Sequence, residues 1–262
     1  MAPHPIPLTV QRELRLPSTL HTPDFGIVGI LGGMGPMATV DFMQKLIAHT
    51  PATTDQEHVP VIIASIPQIP DRTAAYQGLG PSPLDALIAS GRRLIEAGAS
   101  VIVMPCNTAH LWFEQLKKTL SVPMLHIVDA TLERAMEERP RPRRVGLLAT
   151  AATIDCGLYQ SRAALRAETL EIEWMFPAPD ERDHWVTPAI AAVKAGRLQS
   201  ASGLLAAAAA ALVRRGAEAI VMGCTEIPVV LHSTDAAVPL IDATDALAAR
   251  AVAWSRASGR LS

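Results

Sequence analysis

Cysteine is scarce in this chain. Three cysteines in 262 residues, with no Cys-x-x-Cys and no Cys/His cluster, exclude a disulfide framework and a zinc site and point to reduced thiols. No metal or cofactor is expected. Charge is also nearly balanced, at −2, with no basic stripe to follow a nucleic acid. No polybasic cluster or long apolar run suits a membrane. The N-terminus, Met1-Ala-Pro-His-Pro-Ile-Pro, lacks the charged and apolar regions of a signal peptide, so the cytoplasm is the default location. What the chain has is apolar residues, at 49%, enough for one large domain or two small ones and too many for disorder.

Its second asset is repetition. The segment Gly98-Ala-Ser-Val-Ile-Val-Met-Pro-Cys106 returns as Gly216-Ala-Glu-Ala-Ile-Val-Met-Gly-Cys224, an offset of 118 residues. Val28-Gly-Ile-Leu31 returns as Val145-Gly-Leu-Leu148 at 117, and Val122-Pro-Met-Leu125 as Val238-Pro-Leu-Ile241 at 116. Three blocks in order at nearly constant offset predict two similar parallel α/β halves with a cleft between them. The boundaries read as a proline-bearing extension over 1–24, a first half over 25–138 that the C-terminal helix could complete, and a second half over 139–262.

Along the chain, Gly26–Leu31 predicts a strand. Pro36 suits the first turn of a helix that carries Met37, Val40, Leu46 and Ile47 inward. Val59–Ile66 predicts a second buried strand, followed by the loop Pro67-Gln-Ile-Pro-Asp-Arg-Thr73. Ser82-Pro-Leu-Asp85 has the pattern of a capping box before a helix with Leu84, Leu87, Ile88, Leu94 and Ile95 on one face. Strand Val101–Met104 leads to Cys106, a helix spans His110–Thr119, and a strand spans Val122–Ile127. The alanine run Ala206–Ala211 is high-propensity helix leading to Gly216.

Each repeated segment reads as helix end, glycine, buried strand, then cysteine at the strand's carboxyl end, where open α/β sheets bind ligands. Buried cysteine is often only a small hydrophobe. Here both cysteines sit beside small hydrogen-bonding residues, Asn107 and Thr108 in one copy and Thr225 in the other. Two thiols facing each other across one cleft suit a reaction that needs a base on each side of a carbon. Cys156 has no such echo and reads as structural, near a helix start. Gly33-Met-Gly35-Pro-Met-Ala38 fits a dinucleotide fingerprint, but no acidic residue ends the second strand. Its better reading is a tight turn whose N–H groups approach a substrate carboxylate. Arg72 follows an apolar strand and could fork a carboxylate; Lys194 ends a helix, where dipole compensation explains it as well. His110 and Glu226 each lie a few residues past a cysteine and could polarise a thiol or orient the site. Met34 is most simply packing, although its turn puts it with the substrate contacts.

These residues resemble the cofactor-independent aspartate/glutamate racemase superfamily, and within it the aspartate racemase branch. The motifs are Gly-Ile-Leu-Gly-Gly-Met-Gly-Pro (29–36), Pro-Gln-Ile-Pro-Asp-Arg-Thr (67–73), Pro-Cys-Asn-Thr-Ala-His (105–110), His-Ile-Val-Asp-Ala-Thr (126–131), Lys-Ala-Gly (194–196) and Gly-Cys-Thr-Glu-Ile-Pro (223–228). The resemblance implies two pseudo-symmetric α/β domains, often in a homodimer, with the site between them. It implies catalytic Cys106 and Cys224, and an α-carboxylate bound by Asn107, Thr108 and Thr225. It implies a side-chain carboxylate met by Arg72 and Lys194, and Thr150 and Met34 join the substrate contacts. Glutamate racemases carry Asp-Ser-Gly in the first loop and histidine after the second Cys-Thr; this chain has Gly-Gly-Met and Glu226. The implied reaction interconverts L- and D-aspartate without pyridoxal phosphate, one thiolate removing the Cα proton and one thiol replacing it. Glutamate, broad-specificity and hydantoin racemases, a decarboxylase of substituted malonates, a redox thiol protein and a two-lobed ligand binder are the competing readings.

Overall fold

A computed structural model of the protein describes residues 25–166 and 171–258. In the first half the elements are β1 (Val28–Gly32), α1 (Pro36–His49), β2 (Val61–Ser65), α2 (Arg72–Tyr76) and α3 (Leu84–Glu96). Then come β3 (Val101–Val103), α4 (Phe113–Thr119), β4 (Met124–Leu125) and α5 (Ile127–Glu137). In the second half they are β5 (Arg144–Leu148), α6 (Ala151–Asp155), α7 (Leu158–Ala163), β6 (Glu173–Met175) and α8 (Pro179–Glu181). A π-helical turn, Arg182–Val186, leads to α9 (Thr187–Lys194) and α10 (Leu198–Arg214); β7 (Ala219–Met222), β8 (Leu240–Asp242) and α11 (Ala243–Ser258) follow.

The strands form two parallel four-stranded sheets of the same order, β2-β1-β3-β4 and β6-β5-β7-β8. The fold is α/β, and the three repeated blocks occupy matching places: β1 with β5, β3 with β7, β4 with β8. Strand alternation sorts side chains between layers. Val28, Ile30, Val101 and Val103 share a central core with Val145, Leu147, Ala219 and Val221, together with Val128 and Leu132 of α5 and Leu247 and Ala251 of α11. Leu31 and Ile102 point the other way, into a layer with Leu87 and Leu94 of α3. Leu148, Ile220 and Met222 do the same against Val193, Leu205 and Leu212 of α9 and α10. Fully burying one such aliphatic side chain contributes roughly 1.5–3 kcal/mol, so strands with both faces covered need near-continuous apolar runs. The helices before β3 and β7 end at Gly98 (φ 105°) and Gly216 (φ 98°), the left-handed geometry that only glycine adopts freely. Among the described residues, no helix is long and apolar enough to cross a membrane.

Several local expectations are corrected. In α1, Ala38, Thr39, Phe42 and Leu46 are buried, whereas Met37, Val40 and Ile47 are 42%, 55% and 46% exposed. The strand expected over Val59–Ile66 is an edge strand, and Ile63 on it is exposed. Ser82 accepts from the Leu84 N–H rather than closing a capping box with Asp85. The helix past Cys106 begins as a 3-10 turn, Thr108–Trp112, and the strand over Val122–Ile127 shrinks to β4, because Ile127 already opens α5. Cys156 is the C-cap of α6, donating to the Thr153 carbonyl at 3.5 Å, and it lies beside a helix start as expected, since Gly157 caps α7. The expected extension over 1–24 lies outside the described residues.

Candidate active site

Cys106 and Cys224 lie just past the carboxyl ends of β3 and β7, the second strands from one edge of equivalent sheets. Both thiols are free and only 5% exposed. They line one chamber together with Met34, Arg72, Asn107, Thr108, Thr150, Lys194, Thr225 and Glu226. Every expected catalytic and substrate residue therefore converges on one place. Asp71 and Thr73, which sequence reasoning did not single out, also line it. The chamber is tight, with a volume of about 10 Å³, about the space of a single water.

Each wall is positioned by local chemistry. Gly33 (φ 92°) lets the first turn pass close beneath β2; a Cβ there would lie 2.3 Å from the Ile66 nitrogen. The N–H groups of this turn, expected to face a substrate carboxylate, are partly committed within the protein. Gly33 donates to Thr39 Oγ1 at 2.8 Å and Gly35 to Glu226 Oε1 at 2.9 Å. The other oxygen, Glu226 Oε2, accepts from the Cys224 thiol at 3.0 Å. Glu226 thus ties the first turn of one half to the cysteine of the other.

Arg72 lies not in an open loop but in the first turn of α2, where Asp71 is the N-cap and accepts from the Ala74 N–H. It is buried, and its Nη1 donates to the carbonyls of Ile69 (3.1 Å) and Pro70 (3.0 Å). Its Nε has no hydrogen-bond partner among the described residues. Lys194 Nζ reaches Asp71 Oδ2 at 3.9 Å across the mouth of the chamber. Burial alone would raise the Asp71 carboxyl, but the Ala74 N–H, Lys194 and Arg72 together hold it below the usual range. Thr108 shares hydrogen bonds with Thr150 (2.9 Å) and Thr153 (3.1 Å), linking the first cysteine loop to the start of α6.

His110 does not face a thiol. Its Nε2 accepts from the Ile127 N–H at 3.1 Å, so Nδ1 is the protonated nitrogen and donates to the Cys106 carbonyl at 2.9 Å. Burial pushes its pKa down to about 4, and the ring is the neutral tautomer that fixes the Cys106 backbone. His126 and Phe113 pack on it with ring centroids 4.5 Å and 5.5 Å away.

The two thiols differ electrostatically. Burial raises Cys106, the nearby Arg72 charge pulls it back, and Glu226 and Lys194 act in opposite senses. Burial raises Cys224 well above the ordinary thiol range, and Glu226 raises it further against the opposing pull of Lys194. Beyond Thr150 and Lys194 the chamber borders a wider cavity of about 430 Å³, walled by Ile190, Ala191, Asp155 and Arg182. No cluster of three or more His, Cys, Asp or Glu that could hold a metal occurs among the described residues.

A family model described as Asp/Glu/Hydantoin racemase matches residues 31–251. The broad specificity amino-acid racemase RacX of Bacillus subtilis is 30% identical over 232 residues, covering 85% of this chain and 95% of RacX. The structure of Picrophilus torridus aspartate racemase superposes with a TM-score of 0.77 at 33% identity, covering 87% of this chain and 93% of that one. Glutamate racemase from Francisella tularensis, solved with D-glutamate, shares the fold at a TM-score of 0.61 and 16% identity, covering 86% of this chain and 79% of that one. The chain belongs to the Asp/Glu/hydantoin racemase family.

Proposed function

We propose that the chain is a cofactor-independent amino-acid racemase whose favoured substrate is aspartate. The observation that carries this is two cysteines at matching ends of two equivalent sheets, lining one tight chamber beside unpaired buried donors on Asn107 and Arg72. Cys106, the thiol nearer the Arg72 charge, loses its proton more easily and acts as the thiolate base. It takes the Cα proton, and the electron pair passes into the substrate carboxylate. Asn107 Nδ2, Thr108 and Thr225 meet that growing charge in a dry site, where preorganised donors are most effective. Cys224, kept a thiol beside Glu226, gives its proton to the opposite face of Cα. The cysteines finish with exchanged protonation, and the reverse reaction or proton transfer through Glu226 resets them.

Aspartate is favoured because Arg72 and Lys194 supply two cations to one chamber. A broader substrate range is the second reading, favoured by the adjoining cavity with its apolar Ile190 and Ala191 and by the likeness to RacX. A chamber this tight admits substrate only if its walls part. Two working thiols need a reducing compartment, and we assign the protein to the cytoplasm. We also assign it a homodimer through the outer face of α1. There Met37, Val40, Gln44, Ile47 and Ala48 are exposed without a charge among them, so two copies meet without like-charge repulsion.

The test is exchange of the Cα proton followed by NMR in deuterated, reducing buffer, with L- and D-aspartate and then other amino acids. Exchange with inversion and no added cofactor is the expected result, and the panel separates aspartate from broad specificity. No exchange with any amino acid rejects the racemase reading.

A further inference from the structure

Tyr159 stands apart from the residues discussed so far, yet touches both cysteine loops. It lies in α7 and is fully buried. Its hydroxyl donates to Asn107 Oδ1 at 2.7 Å. Asn107 follows Cys106 and belongs to the opposite half. The Tyr159 ring packs against the other loop, where a Cβ added to Gly223, the residue before Cys224, would lie 3.3 Å from Tyr159 Cε2. Trp174 closes the far side of the ring, edge-on at 5.5 Å between centroids.

An amide offers an oxygen on one side and an NH₂ on the other. With Oδ1 taken by the tyrosine, Nδ2 must face away from it. Asn107 is 2% exposed and lines the chamber, and its Nδ2 has no hydrogen-bond partner among the described residues. A buried, unpaired donor is costly to keep, so it is retained where a ligand completes it. Were the amide turned over, Oδ1 would face the substrate carboxylate and repel it. Burial drives the Tyr159 phenol's proton loss to higher pH, so it remains a neutral donor and the orientation does not change with ordinary pH.

We infer that Tyr159 is a positioning residue that locks the Asn107 amide with its N–H aimed at the substrate α-carboxylate while holding both cysteine loops in register. The inference rests on the racemase reading for the identity of the ligand. It assigns the hydroxyl to amide orientation and the ring to loop spacing, two functions that separate cleanly by substitution.

Tyr159→Phe keeps the ring and removes only the hydroxyl. Calorimetric binding of L-aspartate and steady-state racemisation are measured for the wild type, Tyr159→Phe, Asn107→Ala and the double variant, with thermal melts to verify folding. The expected result is a dissociation constant raised about tenfold in Tyr159→Phe, the size of one hydrogen bond to a charged group, with kcat lowered as well because the same amide meets the charge that grows in the transition state. In the Asn107→Ala background the same substitution has no further effect, because the tyrosine acts through the amide. A merely structural tyrosine would cost the same factor in both backgrounds, and that result, or unchanged binding in Tyr159→Phe, overturns the proposal. Should the wild type bind aspartate without racemising it, the racemase reading falls while the binding comparison still decides on Tyr159. Absence of binding to any amino acid overturns both.

Discussion

The loops that carry Cys106 and Cys224 leave equivalent strands and place their sulfurs in one chamber, yet almost nothing around the two sulfurs is the same. The Cys106 carbonyl is held by a histidine side chain, His110 Nδ1 at 2.9 Å, whereas the Cys224 carbonyl accepts an ordinary backbone N–H from Ile227 at 2.9 Å. Cys106 has a buried guanidinium in its surroundings, while Cys224 has a carboxylate bonded to its thiol. Duplication preserved backbone position because strand pairing and core packing fix it. The neighbouring side chains were free to diverge, and they set which sulfur more readily holds a proton. Two-sided proton transfer requires one thiolate and one thiol together, and this asymmetry favours the arrangement with Cys106 as the thiolate.

The comparison breaks most visibly when either sulfur is removed. Cys106→Ala and Cys224→Ala should each lower racemisation by about 10³-fold or more, the scale of losing an acid or base in general catalysis, with circular dichroism unchanged. The remaining thiol can still take and return a proton on its own face, so each variant should exchange the Cα proton of one enantiomer without inversion. The two variants should choose opposite enantiomers; the same choice in both would reject the facing arrangement. Glu226→Gln comes next, with an expected loss of about 10²-fold. The direction of its pH effect is sharper than its size. Glu226 raises the Cys224 pKa, so neutralising it lowers that pKa. Activity needs one thiol still protonated, hence the alkaline descending limb of kcat/KM should move to lower pH.

Arg72→Ala should act on the other limb. Its charge draws the Cys106 pKa down, so its loss raises that pKa and moves the ascending limb to higher pH. The substrate ammonium titrates alike in all variants and cancels in the comparison. Arg72→Ala should also raise KM for aspartate by about 10- to 100-fold, as expected for charge-assisted hydrogen bonds, and leave KM for neutral amino acids nearly unchanged, although the shifted pH limb applies to them too. Unchanged aspartate kinetics would reject its role.

Much of the shared frame was legible in the sequence, because the repeat supplied it; the asymmetry built on that frame was not. The nearly equal offsets of the valine-glycine and cysteine blocks predict matching sheet positions, and strand alternation with glycine-ended helices predicts the layers. What escaped was set by tertiary contacts. Helix α1 carries two apolar stripes, Ala38-Phe42-Leu46 and Met37-Val40-Ile47, and periodicity alone cannot say which one meets the core. The strand over Val61–Ser65 is as apolar as a central one, but its place at the sheet edge depends on partners far along the chain. The place of Glu226 beside Cys224 is plain in the sequence, while its bond to Gly35, 191 residues away, is not readable there. Tyr159 gave no local signal at all, since its partner Asn107 lies 52 residues earlier in the other half.

The smallest predicted effect sharpens the contrast between a loop braced by histidine and one braced by backbone. His110 titrates near pH 4 when folded and near 6.5 when unfolded. Between those values the unfolded chain binds a proton that the folded chain refuses, so stability should fall as pH drops from about 6.5 to about 4. The loss attributable to this one ring is at most about 3 kcal/mol, and His126, whose pKa burial also lowers, adds to it in the same direction. His110→Gln should be less stable at pH 7, because it loses the exact fit of two backbone hydrogen bonds. Its denaturation midpoint should nonetheless vary less across that pH window, since the titrating group is gone. If the variant keeps the wild-type slope, the acid sensitivity originates elsewhere, and the Cys106 loop owes its bracing to packing with Phe113 rather than to a neutral imidazole.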